Sequence, residues 1–256
     1  MPPTPHTLAT LDIAGRIATL TLNRPEAHNA LSIAMLDAAH ARLDQLEAMT
    51  GDSPVVLILT GAGKSFCAGM DLKEVIIGDD PNVPLRLLES LAKLTHRLRR
   101  LPMVVLGRVN GAAIGGGCGL ATVCDLAITH ADAKLGFPEV DLGLCPAVVS
   151  PWLVRKIGPG LARRVMLSGG VMSGARAHQF GIVSQVVDSR DELDAEVDRI
   201  ATALAAGGPN AMSATKQLLN TLDGSDDLDI LLRGASLSAK VLATEDAQNR
   251  LKARQK

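Results

Sequence analysis

The sequence predicts an α/β protein, a layered core of strands and helices followed by a helical C-terminal segment. Two observations carry this. Up to about residue 188, short apolar runs of strand length alternate with glycine turns and amphipathic stretches at helical spacing. Beyond that point three helix-length segments succeed one another with no strand-like run between them.

Residues 8–13 and 17–22 read as two strands joined at Ala14-Gly15-Arg16, a hairpin. Asn23-Arg24-Pro25 breaks that pattern. Ser32 is placed to N-cap a helix over 33–49. Residues 55–59, between Pro54 and Gly61, form a continuous apolar run that suits a buried strand. A short helix is expected over 71–77 and a longer amphipathic one over 84–100. Residues 103–106 and 126–128 are further buried strands, and the glycine-rich stretch 111–119 lies between them. No internal period is legible. Helices over 192–206, 211–222 and 228–243 are punctuated by Gly207-Gly208-Pro209 and Asp223-Gly224-Ser225-Asp226. The chain thus divides into a core, 1–190, and a C-terminal helical region, 191–256. A strandless segment of that kind needs a partner surface, either the core or another subunit.

Composition narrows the function. Among 256 residues, 47% are hydrophobic and 21% charged, ordinary for a globular protein. Aromatic residues make up 2%, with no Tyr, so stacking on nucleobases is disfavoured. The formal net charge is −1, and the short basic stretch His96-Arg97-Leu98-Arg99-Arg100 reads as a solvated helix face. Neither nucleic acid nor a membrane surface is an expected partner. No run of about 18 apolar residues appears, and Met1-Pro2-Pro3-Thr4-Pro5 lacks the pattern of a secretory signal. Cys67, Cys118, Cys124 and Cys145 form no C-x-x-C pair and read as buried free thiols in a reducing, cytoplasmic setting.

Some motifs mislead. Gly61-Ala62-Gly63-Lys64-Ser65 ends like a phosphate-binding loop, but the pattern needs a glycine at 58, where Ile58 stands. No dinucleotide fingerprint, nucleophile elbow or H-E-x-x-H occurs, and the six histidines are scattered, so no metal centre is expected.

Two stretches carry chemistry. Ser65-Phe66-Cys67-Ala68-Gly69-Met70-Asp71-Leu72-Lys73-Glu74 links a buried strand to a helix. Its small residues let the backbone approach a ligand, and an N–H ahead of a helix can meet an anion. Alone, it would read as an ordinary connection. Asn110-Gly111-Ala112-Ala113-Ile114-Gly115-Gly116-Gly117-Cys118-Gly119-Leu120 places three consecutive glycines before an apolar helix. Each costs about 0.5–1 kcal/mol relative to Ala, which suggests that the backbone itself is needed there, for a ligand or for close packing.

Together these stretches resemble the crotonase (enoyl-CoA hydratase/isomerase) superfamily, especially bacterial methylglutaconyl-CoA-type hydratases. The similarity covers nearly the whole chain. Further landmarks are Leu22-Asn23-Arg24-Pro25-Glu26-Ala27-His28-Asn29-Ala30-Leu31, Gly136-Phe137-Pro138-Glu139-Val140 and Leu142-Gly143-Leu144. The resemblance implies a crotonase-like ββα spiral core with a helical C-terminal trimerisation region, a homotrimer or hexamer, and an acyl-CoA thioester substrate. It implies no separate cofactor, because the substrate carries coenzyme A. It assigns the N–H groups of Met70 and Gly116 to an oxyanion hole, with Met70 where alanine is more usual. It assigns coenzyme A contacts to Arg24, Ala27, His28, Ala68, Asp71, Leu72 and Lys73.

One departure matters. The resemblance implies two glutamates in hydratases of the best-known type; here the first of those positions is Gly119, glycine as in the methylglutaconyl-CoA-type hydratases, and the second is Glu139. A single carboxyl can act on water or shuttle a proton along a 3-enoyl chain, so hydratase leads, 3,2-enoyl isomerase comes second, and a catalytically silent acyl-CoA-binding paralogue is a third reading. Relatives that need an aspartate at Ala147 are disfavoured. Pocket walls are expected from Ile76, Ile77, the helix over 83–91 and Trp152.

Overall fold

The computed structural model describes residues 5–50, 53–76 and 80–254. The expectations for residues 1–4, and for Ile77 as a helix end and pocket wall, lie outside the described residues.

A short helix α1 (Pro5–Leu8) leads into strands β1 (Ala9–Ala14) and β2 (Ile17–Leu22). These pair antiparallel with Ala14 opposite Ile17, and Gly15 turns the chain at φ +58°. Side chains alternate along β2: Ala18, Leu20 and Leu22 are buried and their neighbours less so. Helix α2 (Ile33–Glu47) starts where Ser32 Oγ accepts the Met35 N–H at 3.1 Å, and it ends two residues short of the expected limit.

From β3 onward a unit of two strands and helix repeats. Strands β3 (Val56–Gly61) and β4 (Ser65–Cys67) precede helices α3 (Leu72–Val75) and α4 (Val83–Arg100). Strands β5 (Val104–Val109) and β6 (Ala112–Ile114) precede α5 (Gly116–Val123). Strands β7 (Leu126–His130) and β8 (Lys134–Gly136) precede α6 (Ser150–Ile157) and α7 (Pro159–Ser168). The first strand of each unit joins one sheet, ordered β1-β2-β3-β5-β7-β10, parallel from β2 onward. The second joins another, β4-β6-β8-β9, parallel except for β8 with β9. Strand β9 (Val171–Ser173), helix α8 (Gly174–Gln179) and strand β10 (Gln185–Val187) close the two sheets. This is the ββα spiral. Its period escapes the sequence because the second strands are three residues long, too short for alternation to show.

Helix α9 (Arg190–Ala205) lays Leu193, Val197 and Ala201 over Val56, Ile58, Leu106 and Ile128 of the larger sheet. Helix α10 (Pro209–Asp223) docks through Lys216, whose ammonium lies 2.7 Å from Asp125 and donates to the Met103 carbonyl at 2.9 Å. Along α10, Leu218, Leu219 and Leu222 are exposed. Helix α11 (Leu228–Leu242) packs along α4, and α12 (Glu245–Arg254) comes after it. Among the described residues, no helix is long and apolar enough to cross a membrane.

Candidate active site

The loop after β3 is fastened from below by two buried asparagines. Asn29 donates to the carbonyls of Ala62 and Ser65, both at 2.9 Å, and Asn110 donates to Gly63 at 3.1 Å. The Gly61 N–H donates in turn to Asn110 Oδ1 at 3.3 Å. The loop that resembles a phosphate cradle is therefore a brace for the segment that contains Met70.

In that segment Met70 forms a parallel bridge with Leu31. Leu31 N–H donates to the Gly69 carbonyl at 2.7 Å, and Asp71 N–H donates to the Leu31 carbonyl at 3.0 Å. These bonds flank Met70, so the alternation of an extended backbone turns the Met70 N–H to the opposite side. Among the described residues it has no acceptor.

The second free donor comes from α5. Gly115 N–H is held by the Gly136 carbonyl at 2.8 Å, and Gly119 N–H returns to the Gly115 carbonyl at 2.9 Å. Gly116, the first residue of the helix, has no acceptor for its own N–H among the described residues, as expected in a first helical turn. The two donors are close in space. A Cβ built on Gly69 (φ +86°) would stand 3.4 Å from the Gly116 nitrogen and 2.6 Å from the Ile114 carbonyl oxygen. Only glycine permits that approach.

Glu139 completes the group. Pro138 precedes it, and a 3-10 turn over Val140–Leu142 starts from it, its carbonyl accepting the N–H groups of Leu142 at 2.9 Å and Leu144 at 2.8 Å. The backbone is thereby fixed and the side chain is 8% exposed. One carboxyl oxygen, Oε2, is buried without a hydrogen-bond partner. Burial pushes the pKa up to about 7; the negative charge of Asp141 adds to the rise, and a backbone N–H of Glu139 itself opposes it.

Met70, Gly116 and Glu139 line one cavity of about 20 Å³, with Leu88 and Leu91 from α4 and Val149 ahead of α6 on its walls. Helix α11 reaches the same place. Ser238 donates to the Cys145 carbonyl at 2.6 Å and accepts the Ala147 N–H at 3.2 Å, and it too faces the cavity. Of the walls expected, Leu88 and Leu91 are present. Trp152 is buried elsewhere, beside Arg155, and neither it nor Ile76 lines this cavity. Sequence reasoning missed Val149 and Ser238. Ser238 gave no signal, because its contacts span more than 90 residues.

The segments around Arg24 and Asp71 are stapled side by side. Arg24 Nη1 lies 2.8 Å from Asp71 Oδ2, and Ala68 N–H donates to the His28 carbonyl at 3.0 Å. Asp71 also caps α3 through the Lys73 N–H at 3.1 Å. His28 takes a left-handed backbone, φ 52°, which turns the chain beside Ala27. Leu72 packs against the core, and Lys73 is exposed.

Other candidates have structural roles. Asp125 accepts the Val105 N–H at 2.8 Å and meets Lys216 and Arg99. Asp141 is exposed and accepts the Gly170 N–H at 2.8 Å. Cys67, Cys118 and Cys124 are buried free thiols whose pKa values burial raises to about 12. Cys145 is half-buried, at the cavity wall, where the sequence suggested full burial. A larger surface cleft of about 540 Å³ beside α4 holds Arg86 and Arg97, each already paired with acidic neighbours. Among the described residues no group of three metal-ligating side chains occurs.

The arrangement can therefore offer two main-chain donors to one oxygen and one poised carboxyl to a proton. Comparison with known proteins agrees in kind. The enoyl-CoA hydratase/isomerase family profile matches residues 12–252. The chain is 35% identical over 243 residues to a putative enoyl-CoA hydratase of Thermus thermophilus, covering 93% of this chain and 94% of that one. It is 35% identical over 206 residues to the 2,3-dehydroadipyl-CoA hydratase of Escherichia coli, covering 80% and 78%. Among crystal structures, an enoyl-CoA hydratase/isomerase from Xanthobacter autotrophicus Py2 superposes with a TM-score of 0.84 at 30% identity, over 97% of this chain and 93% of that one.

Proposed function

The chain belongs to the enoyl-CoA hydratase/isomerase family and is an enzyme of that family; from that premise we propose that it hydrates a 2-enoyl-CoA thioester with Glu139 as its single acid/base. The observation that carries this is the buried Glu139 carboxyl, whose Oε2 has no hydrogen-bond partner, lining the same cavity as Met70 and Gly116, whose N–H groups have no acceptor among the described residues.

In this reading the thioester carbonyl oxygen takes the Met70 and Gly116 N–H groups. Glu139, as carboxylate, removes a proton from water while the water oxygen bonds to C3. The C2=C3 pair moves towards the carbonyl, and negative charge gathers on the oxygen between the two donors. Glu139 then returns the proton to C2. Water is added across the double bond and the carboxylate is regenerated, with no separate cofactor. Fixed donors aimed at a developing oxyanion contribute about 2.7–4 kcal/mol each in comparable sites. A carboxyl with a pKa of about 7 is matched to neutral pH for both halves of the transfer.

Coenzyme A is assigned to the stapled segments, with contacts from Ala27, His28, Ala68, Asp71, Leu72 and Lys73. Arg24 already has Asp71 as its counter-ion, so we assign it to holding the loop and give the exposed Lys73 to phosphate. The cavity lining is apolar apart from Glu139 and Ser238, which suits an uncharged acyl group. The exposed leucines of α10 support a homotrimer or hexamer, and four free thiols suit the cytoplasm.

A second reading, 3,2-enoyl isomerisation, draws on Gly119, which offers no carboxyl beside Glu139. The conjugated enoyl-thioester absorbance separates the two. It falls when a 2-enoyl-CoA is hydrated and rises when a 3-enoyl-CoA is isomerised. No change with either, despite measurable binding, would identify a silent acyl-CoA-binding paralogue and end the hydratase reading.

A further inference from the structure

Gly119 sits one helical turn beyond Gly116 on α5, and Val149 occupies the space above it. A Cβ at 119 would stand 2.2 Å from Val149 Cγ1 and 2.8 Å from its Cβ. Side-chain volume at these two positions is therefore reciprocal: one can be large only if the other is small. Val149 is 2% exposed and lines the cavity that holds Glu139.

The wall that carries Val149 is held on both sides. Towards α5, the Gly119 N–H is tied to the Gly115 carbonyl at 2.9 Å, so the helix backbone is fixed. Towards α11, Ser238 holds Cys145 and Ala147, and a Cβ at Gly234 would stand 2.7 Å from the Ala147 carbonyl oxygen, so that backbone is already in contact. Neither flank offers room for the wall to retreat. The side chain at 149 then decides how much space lies beyond the reacting carbons.

We propose that Val149 is the residue that sets acyl-chain length, by filling the space over Gly119. The inference rests on the acyl-thioester reading above but not on the choice between hydration and isomerisation. Truncating Val149 opens a space continuous with the cavity, bounded by the bare backbone of Gly119. Enlarging it closes the cavity further.

Binding of saturated thioesters tests this, since they have no double bond to hydrate or move. The full-length protein and its Val149→Ala and Val149→Ile variants would be titrated with butanoyl-, hexanoyl- and octanoyl-CoA by calorimetry. One methylene in a close-fitting apolar pocket is worth about 10-fold or more in discrimination. The expected result is that Val149→Ala favours octanoyl- over butanoyl-CoA by at least about 10-fold relative to wild type, and that Val149→Ile moves the ratio the other way. A reciprocal arm uses Gly119→Ala, expected to drive Val149 into the cavity and weaken all three ligands, with binding restored by adding Val149→Gly. Chain-length ratios unchanged in both single Val149 variants would overturn the proposal, as would undiminished binding by Gly119→Ala. Failure of the wild type to bind any of the three would instead overturn the acyl-thioester reading, and this inference with it.

Discussion

Gly115 and Glu139 pack face to face: a methyl group on Gly115 would stand 2.8 Å from Glu139 Oε1 and 3.3 Å from the carboxyl carbon. The glycine supplies two things at once, a backbone at φ +54° that starts α5 and a flat surface for the carboxyl. Gly115→Ala should therefore cost stability, by about 1–3 kcal/mol from a positive-φ backbone (φ 54°, ψ −120°) that side chains rarely adopt. Turnover should fall by about 10²-fold, because displacement of a reacting group by about 1 Å has that effect. Denaturant unfolding and initial rates check the pair.

Glu139→Gln keeps the shape of the side chain and removes its ability to transfer a proton. Turnover should fall by about 10²–10⁴-fold, the usual contribution of a general acid/base. Acyl-CoA affinity, measured by calorimetry, should stay close to wild type. Unchanged turnover would remove Glu139 from the mechanism.

The pH dependence has a definite sign. The cycle starts from the carboxylate, which becomes the acid only by taking the proton from water, so kcat/KM should rise with pH through about 7 and level off above it. Stability runs the other way. The group ionises at about 7 when folded and at 4.5 ordinarily, so the folded state holds the extra proton between those values and loses stability as pH rises across them. The penalty is absent below 4.5 and complete above about 7, where the difference in ionisation amounts to about 3 kcal/mol. Glu139→Gln lifts it. Unfolding experiments should find that variant more stable than wild type at pH 8 and nearly equal to it at pH 4.5.

Ser238 is a positioning residue, joining α11 to the cavity wall. Ser238→Ala leaves the Cys145 carbonyl and the Ala147 N–H without that partner, at a cost of about 1–3 kcal/mol. The expected outcome is a lower unfolding midpoint and a raised KM for the thioester, with a smaller change in kcat. An unchanged KM would mean that the wall does not depend on α11.

Legibility in the sequence tracked length and locality. Long amphipathic stretches such as α4, and strands with alternation or full burial such as β2 and β3, could be read directly. Strands β4, β6, β8, β9 and β10 could not, since three residues hold neither a period nor a propensity sum. Within the site, Met70, Gly116 and Glu139 were named through the family resemblance that the local motifs carry, and the structure sets all three on one cavity. The hidden part was tertiary. Val149 filling the space over Gly119, Ser238 holding residues 145–147, and Trp152 lying outside the cavity all depend on how α5, α6 and α11 meet. The asparagines bracing residues 61–65 were hidden for the same reason, Asn29 and Asn110 lying far apart in the chain.

In the proposed complex two main-chain amides, at Met70 and Gly116, meet one thioester carbonyl. Its most direct test is the difference infrared spectrum of bound butanoyl-CoA carrying a carbon-13 carbonyl. Two aligned donors should polarise the carbonyl and shift its stretch below the frequency found in water. A stretch at or above the aqueous value would place the carbonyl in an apolar cavity without donors, and would rule out a two-amide oxyanion site.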